Sequence, residues 1–170
     1  MKNIRYATIA DVETICHIHA ATWHEAYREL LPRDYLQRVN YTRWLPVFTE
    51  TINNSLYDVA LFVHEDGING VGGCITYGAA RDKDKNGWAE ITAIYVLPHM
   101  WRQGLGALLM RFALDGLKQK GYEDCYLWLL KGNQRACSFY EKMGFIHDGT
   151  EKIFEYERQQ VYMLLYCIHW

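Results

Sequence analysis

Between Tyr95 and Met110 the chain reads YVLPHMWRQGLGALLM. An apolar run ends at Pro98, Gly104 and Gly106 follow, and leucines then recur at helical spacing. A strand that turns through two glycines into a helix brings backbone close to a neighbour, and the free N–H groups of the first helical turn suit an anion such as a phosphate. A dinucleotide fingerprint fails, because the third glycine position of GxGxxG is Leu109. The acidic residue expected after the next strand is also missing: Glu123 and Asp124 precede that strand, and Lys131 follows it. No Gly-Lys-Ser/Thr follows, so a P-loop is excluded. From the glycines alone, a tight turn with close helix packing is an equal reading.

The rest of the chain supplies the surroundings of that turn. Ile4–Thr8 reads as a short strand, and Thr8 and Asp11 have capping-box spacing ahead of a helix that Pro32 closes. Residues 33–54 read as one or two further helices, broken at Asn40 and Pro46. DVALFVHEDG and NGVGGCITYGA alternate as a hairpin turning at Asp66-Gly67, and WAEITAIYVLP is a third strand. A helix from Leu105 ends near Gly121, DCYLWLLK is a buried strand, and NQRACSFYEKMG is a short helix stopped by Gly144. Two strands around a polar crossing complete the chain. The pattern predicts one mixed α/β domain over residues 1–170.

The stretch YVLPHMWRQGLGALLM followed by GNQRACSFYEKMGF resembles the GNAT superfamily of acyl-CoA N-acyltransferases. The matching pieces are Ile94-x-Val96-x-Pro98, then Gly104-Leu105-Gly106 opening a helix, then Asn133, then Phe139–Phe145. The family's usual Arg or Gln three residues before the first glycine is Trp101 here, with Arg102 and Gln103 just after it. The resemblance implies a mixed, mostly antiparallel sheet flanked by helices. It also implies acetyl-CoA as acyl donor, with no metal. The backbone of Gly104, Leu105, Gly106 and Ala107 would meet the pyrophosphate, with Arg102 and Gln103 beside it. Ile94, Tyr95 and Val96 would meet the pantetheine arm, in a gap where this strand parts from CYLWLLK. Asn133 would touch the same arm, and capping the helix that follows is compatible with that contact.

Amide formation from a thioester needs a neutral amine, a polarised carbonyl and a protonated sulfur. The resemblance puts Tyr140 opposite that sulfur as general acid, although Tyr140 also fits an apolar helical stripe with Ala136, Phe139 and Met143. Glu90, six residues before Val96, stands where several family members carry a catalytic base. A solvent-facing glutamate is the alternative, and the base could instead be a chain of waters. A covalent route through Cys137 has no supporting His or Asn spacing. The segment HAATWHEAYRELLPRDYL brings His19, Trp23, His24, Tyr27 and Tyr35 together as an acceptor wall or, more simply, as core.

Composition narrows the partners. Half of the 170 residues are hydrophobic, and the formal net charge is −2, which gives no bias toward nucleic acid or an anionic membrane. The five cysteines have no CxxC spacing and the seven histidines no HxxxH group, which speaks against a zinc site. Free thiols fit a reducing compartment. No apolar run approaches the ~18 residues of a membrane span, and MKNIRYATIADVE has no signal-peptide core. The expectation is a cytoplasmic N-acetyltransferase acting on a primary amine of a small molecule or peptide. A non-catalytic acyl-CoA-binding module is the alternative. The apolar final strand VYMLLYCIHW suggests pairing with a second copy in a homodimer.

Overall fold

A computed structural model describes residues 3–156 and 159–170. Its elements are β1 (Ile4–Tyr6), α1 (Val12–Ala26), α2 (Arg33–Arg38), α3 (Leu45–Asn53), β2 (Asp58–Ile68), β3 (Val71–Ala79), β4 (Ala89–Val96), α4 (Leu105–Gln119), β5 (Asp124–Leu130), α5 (Gln134–Lys142), β6 (Ile146–Tyr156) and β7 (Gln159–His169). The strands form one sheet in the order β1-β2-β3-β4-β5-β7-β6. Every neighbouring pair is antiparallel except β4 and β5. This is the expected mixed, mostly antiparallel architecture. The polar crossing between the last two strands, at Glu157 and Arg158, lies outside the described residues.

Residues 71–77 of β3 are buried without alternation, the mark of a strand covered on both faces. On one face Gly73 lies against Leu109 and Tyr77 against Gly116, both in α4. Cys74, pointing the other way, lies near Cys16 of α1. α4 commits Leu109, Met110, Ala113 and Leu117 to this core with no exposure. Each of the larger ones is worth about 1.5–3 kcal/mol of burial.

Three local expectations are corrected. Pro46 does not break a helix but sits in the first turn of α3, where its missing N–H has no bond to lose. The hairpin turns at Asn69-Gly70, with φ of 48° and 78°, rather than at Asp66-Gly67. Gly67 serves a different need: a Cβ there would stand 2.2 Å from the carbonyl carbon of Val71. The final strand is not a free edge either. β7 is hydrogen-bonded to β5 on one side and β6 on the other, so β6 is the edge on that side of the sheet.

Candidate active-site cleft

β4 and β5 run parallel, and pair only at Ala89 with Cys125 and Glu90 with Tyr126. Beyond that rung they part. The gap is a cleft of about 840 Å³ walled by residues 91–96 of β4 and 127–130 of β5. The divergence that the sequence could not show is therefore present. Both strands keep backbone N–H and C=O groups there with no partner across the gap, which suits a ligand carrying amides.

β4 also carries an irregularity inside the cleft. Thr76 pairs with Ala93 and Tyr77 with Ile91, so Thr92 is an extra residue opposed by none. Such a bulge turns its backbone out of the ladder. The Thr92 hydroxyl donates to the Thr76 carbonyl at 3.2 Å, which holds the kink in place.

The mouth of the cleft is the glycine turn. Arg102 and Gly104 both have left-handed backbone, at φ of 63° and 83°. A Cβ at Gly104 would meet nothing within 4 Å, so conformation, not space, calls for glycine at this N-cap. The first amides of α4 have no partner in their own helix. Trp101, in place of the family's arginine or glutamine, donates its indole N–H to the Val96 carbonyl at 2.6 Å. The Thr22 hydroxyl donates to the same carbonyl at 3.3 Å. The Arg135 guanidinium, from the first turn of α5, stacks 3.6 Å above the Trp101 ring. Burial and the neighbouring Arg102 lower the Arg135 pKa, while Glu25 opposes the shift. With Lys142, these cations line a cleft that has no carboxylate and no imidazole among its described lining residues.

Of the residues singled out in the sequence, Ile94, Tyr95, Val96, Arg102, Gly104, Leu105, Gly106, Ala107 and Tyr140 all line this cleft. Tyr140 packs edge-on against Phe139 and Phe145. Burial, with Tyr27 adding to it, raises its pKa well above the ordinary tyrosine value, so the phenol keeps its proton at neutral pH. The Tyr95 hydroxyl accepts from the Trp23 indole at 2.9 Å.

Gln103, Asn133 and Glu90 are not in this lining, and neither is Cys137, which had no support in the sequence. Gln103 is exposed and donates to the His99 carbonyl at 3.3 Å. Asn133 is buried and caps α5, accepting from the Ala136 N–H at 3.2 Å. Cys137 is buried outside the cleft lining. Glu90, 2 % exposed, lies outside it too. Its Oε2 accepts from the Arg81 backbone N–H at 3.1 Å, Arg81 Nε at 2.9 Å and the Tyr126 hydroxyl at 3.0 Å. Its Oε1 accepts from Arg81 Nη2. A carboxylate that already accepts from four donors and does not face the cleft is poorly placed to take a proton from an amine there.

For the group around Trp23 the simpler reading, core, holds for most members. Only Tyr27 of that group lines the cleft. His19 is buried against Tyr95, Trp44 and Phe48, and burial lowers its pKa to about 3. Tyr35 is core, and the His24 ring meets the Val39 carbonyl at 2.8 Å. Among the cleft residues missed in the sequence are Thr92, Trp128, Arg135 and Lys142. Arg135 stood inside the quoted motif, but nothing local signals its stacking partner 34 positions earlier.

No group of three potential metal ligands converges among the described residues, and no described helix is long and apolar enough to cross a membrane. The family model described as acetyltransferase (GNAT) family matches residues 12–145. The uncharacterized N-acetyltransferase YuaI of Bacillus subtilis (strain 168) is 30 % identical over 133 residues, 78 % of this chain and 74 % of that protein. A spermidine N(1)-acetyltransferase of Thermoplasma acidophilum is 25 % identical over 151 residues, 87 % of this chain and 90 % of that one. In fold, the chain is similar to the PaiA N-acetyltransferase of Thermoplasma acidophilum, crystallised with coenzyme A. The TM-score is 0.71, at 20 % identity over 98 % of both chains.

Proposed function

The chain belongs to the GNAT acetyltransferase family, and on that premise we propose that its cleft binds acetyl-CoA and passes the acetyl group directly to a primary amine in a ternary complex. One observation carries the reading: the parted strands lead, without interruption, to the amide-rich, cationic mouth at the start of α4. A pyrophosphate suits that mouth, where helix amides, Arg102 and Arg135 offer charge-assisted hydrogen bonds. The pantetheine amides then follow the cleft-side backbone of residues 94–96, with the acetyl group near the Thr92 bulge and Tyr140.

Here the chain's own groups divide the work. An N–H turned out at the bulge polarises the acetyl carbonyl as the amine nitrogen attacks and charge develops on oxygen. The C–S bond then breaks, and Tyr140 donates a hydrogen bond to the departing sulfur. Because its proton is held more tightly than an ordinary thiol's, near 8.5, Tyr140 keeps it and stabilises the thiolate through the hydrogen bond, and the proton that the amine releases completes the thiol by way of water. The amine proton goes to water, since the described lining offers no carboxylate or imidazole to take it. Tyr27, Tyr95 and Trp128 give the wall an aromatic character that suits a small organic amine. The relative that acts on spermidine makes that amine the first acceptor to test. Five unpaired, buried cysteines fit a reducing, cytoplasmic setting.

The test is a thiol-release assay with acetyl-CoA against a panel of small amines, spermidine included, and peptide N-termini. Acetylation of a small amine supports the reading. Tight binding of coenzyme A with no turnover on any acceptor favours a binding module instead.

A further inference from the structure

The Glu90 network occupies a particular place. Glu90 and Tyr126 form the last rung before the strands part, and Thr92, the bulged residue, is two positions beyond it. The network reaches both walls of the cleft. The Tyr126 hydroxyl donates to Glu90 and accepts from the Asp82 backbone N–H at 3.2 Å. The Asp82 carboxylate in turn accepts from the Trp128 indole at 2.8 Å and from Lys152 at 3.0 Å. Trp128 lines the cleft on the β5 side, with the Lys152 ammonium 4.6 Å over its ring. Arg81 and Asp82 thus fasten the β3–β4 loop under the point of divergence.

We propose that Glu90 is a positioning residue: clamped by Arg81 and Tyr126, it fixes the rung at which β4 leaves β5, and with it the direction in which the Thr92 bulge presents its backbone to the acetyl carbonyl. Apolar packing at this rung would hold the strands together without fixing their angle. A buried carboxylate bonded to four directional donors fixes both, because any slip leaves a desolvated charge short of a partner. The rung comes so soon before the bulge that an error in strand angle passes directly to the Thr92 backbone. This role rests on the reading of the cleft as the acetyl-CoA site. It assigns Glu90 no contact with substrate and no part in proton transfer.

The experiment is carbon-13 NMR of carbonyl-labelled acetyl-CoA bound to the intact protein, without an acceptor. In the wild type, the bound carbonyl resonance moves downfield of its free position. Tyr126→Phe keeps the ring and removes the hydroxyl that joins Glu90 to β5. Its bound resonance is expected to fall back toward the free value and broaden, with the dissociation constant within about threefold of wild type. Arg81→Lys, at a half-exposed side chain, is a second variant that keeps charge but loses the two-pronged grip, and it should shift the same way. A wild-type resonance retained in either folded variant overturns the proposal, as does an unshifted carbonyl in the bound wild type. Failure of the wild type to bind acetyl-CoA at all is the separate result that removes the reading of the cleft.

Discussion

The mouth of the cleft is made of backbone amides at the start of α4 with arginines around them, open to the ligand and short of negative charge. At the inner end, the cleft is held by an ion pair between the buried Glu90 and the half-exposed Arg81, neither of which lines it. A helix N-terminus binds an anion with groups every residue possesses, so side chains there adjust affinity by increments. The inner end depends on named side chains whose directions are set by partners far away in sequence. Substitutions at the mouth should therefore change how tightly acetyl-CoA is held, and substitutions at the inner wall how fast it reacts.

The largest effect expected is at the inner wall. Tyr140→Phe should lower kcat by ~10²-fold, the usual scale for losing a positioned hydrogen-bond donor to developing charge, while coenzyme affinity stays close to wild type. Steady-state kinetics with calorimetry of coenzyme A separates the two. A folded variant that keeps its kcat would leave Tyr140 as packing between Phe139 and Phe145.

At the mouth, Arg135→Gln should raise the KM for acetyl-CoA about tenfold with kcat unchanged, since a charge-assisted contact to phosphate is made equally in ground and transition states. A fall in kcat at constant KM would break the division between the two ends.

A third expectation concerns pH. With no titratable base in the described lining, the acidic limb of kcat/KM should follow the acceptor's own ionisation. An acceptor about two units less basic moves the limb about two units lower. A limb that stays in place for both amines would point to a group on the protein.

The smallest effect lies outside the cleft and serves as a control. Arg5 makes two hydrogen bonds to the Asp11 carboxylate, which lowers its pKa from 3.8 to about 2. The folded pKa is depressed, so the stabilisation is fully present above about pH 4 and lost as pH falls through 2. Arg5 is 45 % exposed, and screening limits the gain to roughly 1 kcal/mol. Acid unfolding of Arg5→Gln should show that loss near neutrality, with catalysis untouched.

The same contrast explains what could be read from the sequence. Gly104 and Gly106 announced the mouth because a helix start after a glycine turn is local geometry. At the inner end the setting of Glu90 was not legible, since its partner Arg81 lies across a loop and Tyr126 is 36 positions away. Spacing from Val96 placed the residue on the correct strand but could not say which way its carboxylate faced. Asn133 fell in the right motif and caps α5 as its position suggested, whereas Gln103 turned to the His99 carbonyl instead. At the hairpin, Asn69-Gly70 was the stronger turn signal. Asp66-Gly67 competed with it only because Gly67 is required by a backbone approach that belongs to the tertiary fold. The final strand read as a free apolar edge because nothing in its own residues shows that β6 and β5 flank it.

The central claim, that the gap between β4 and β5 seats the coenzyme with its phosphates at the start of α4, is tested most directly by amide hydrogen exchange with and without coenzyme A. The account predicts slowed exchange at residues 104–107 and 94–96, with little change in α2 or β6. Protection that falls elsewhere, or none at saturating coenzyme, would contradict it.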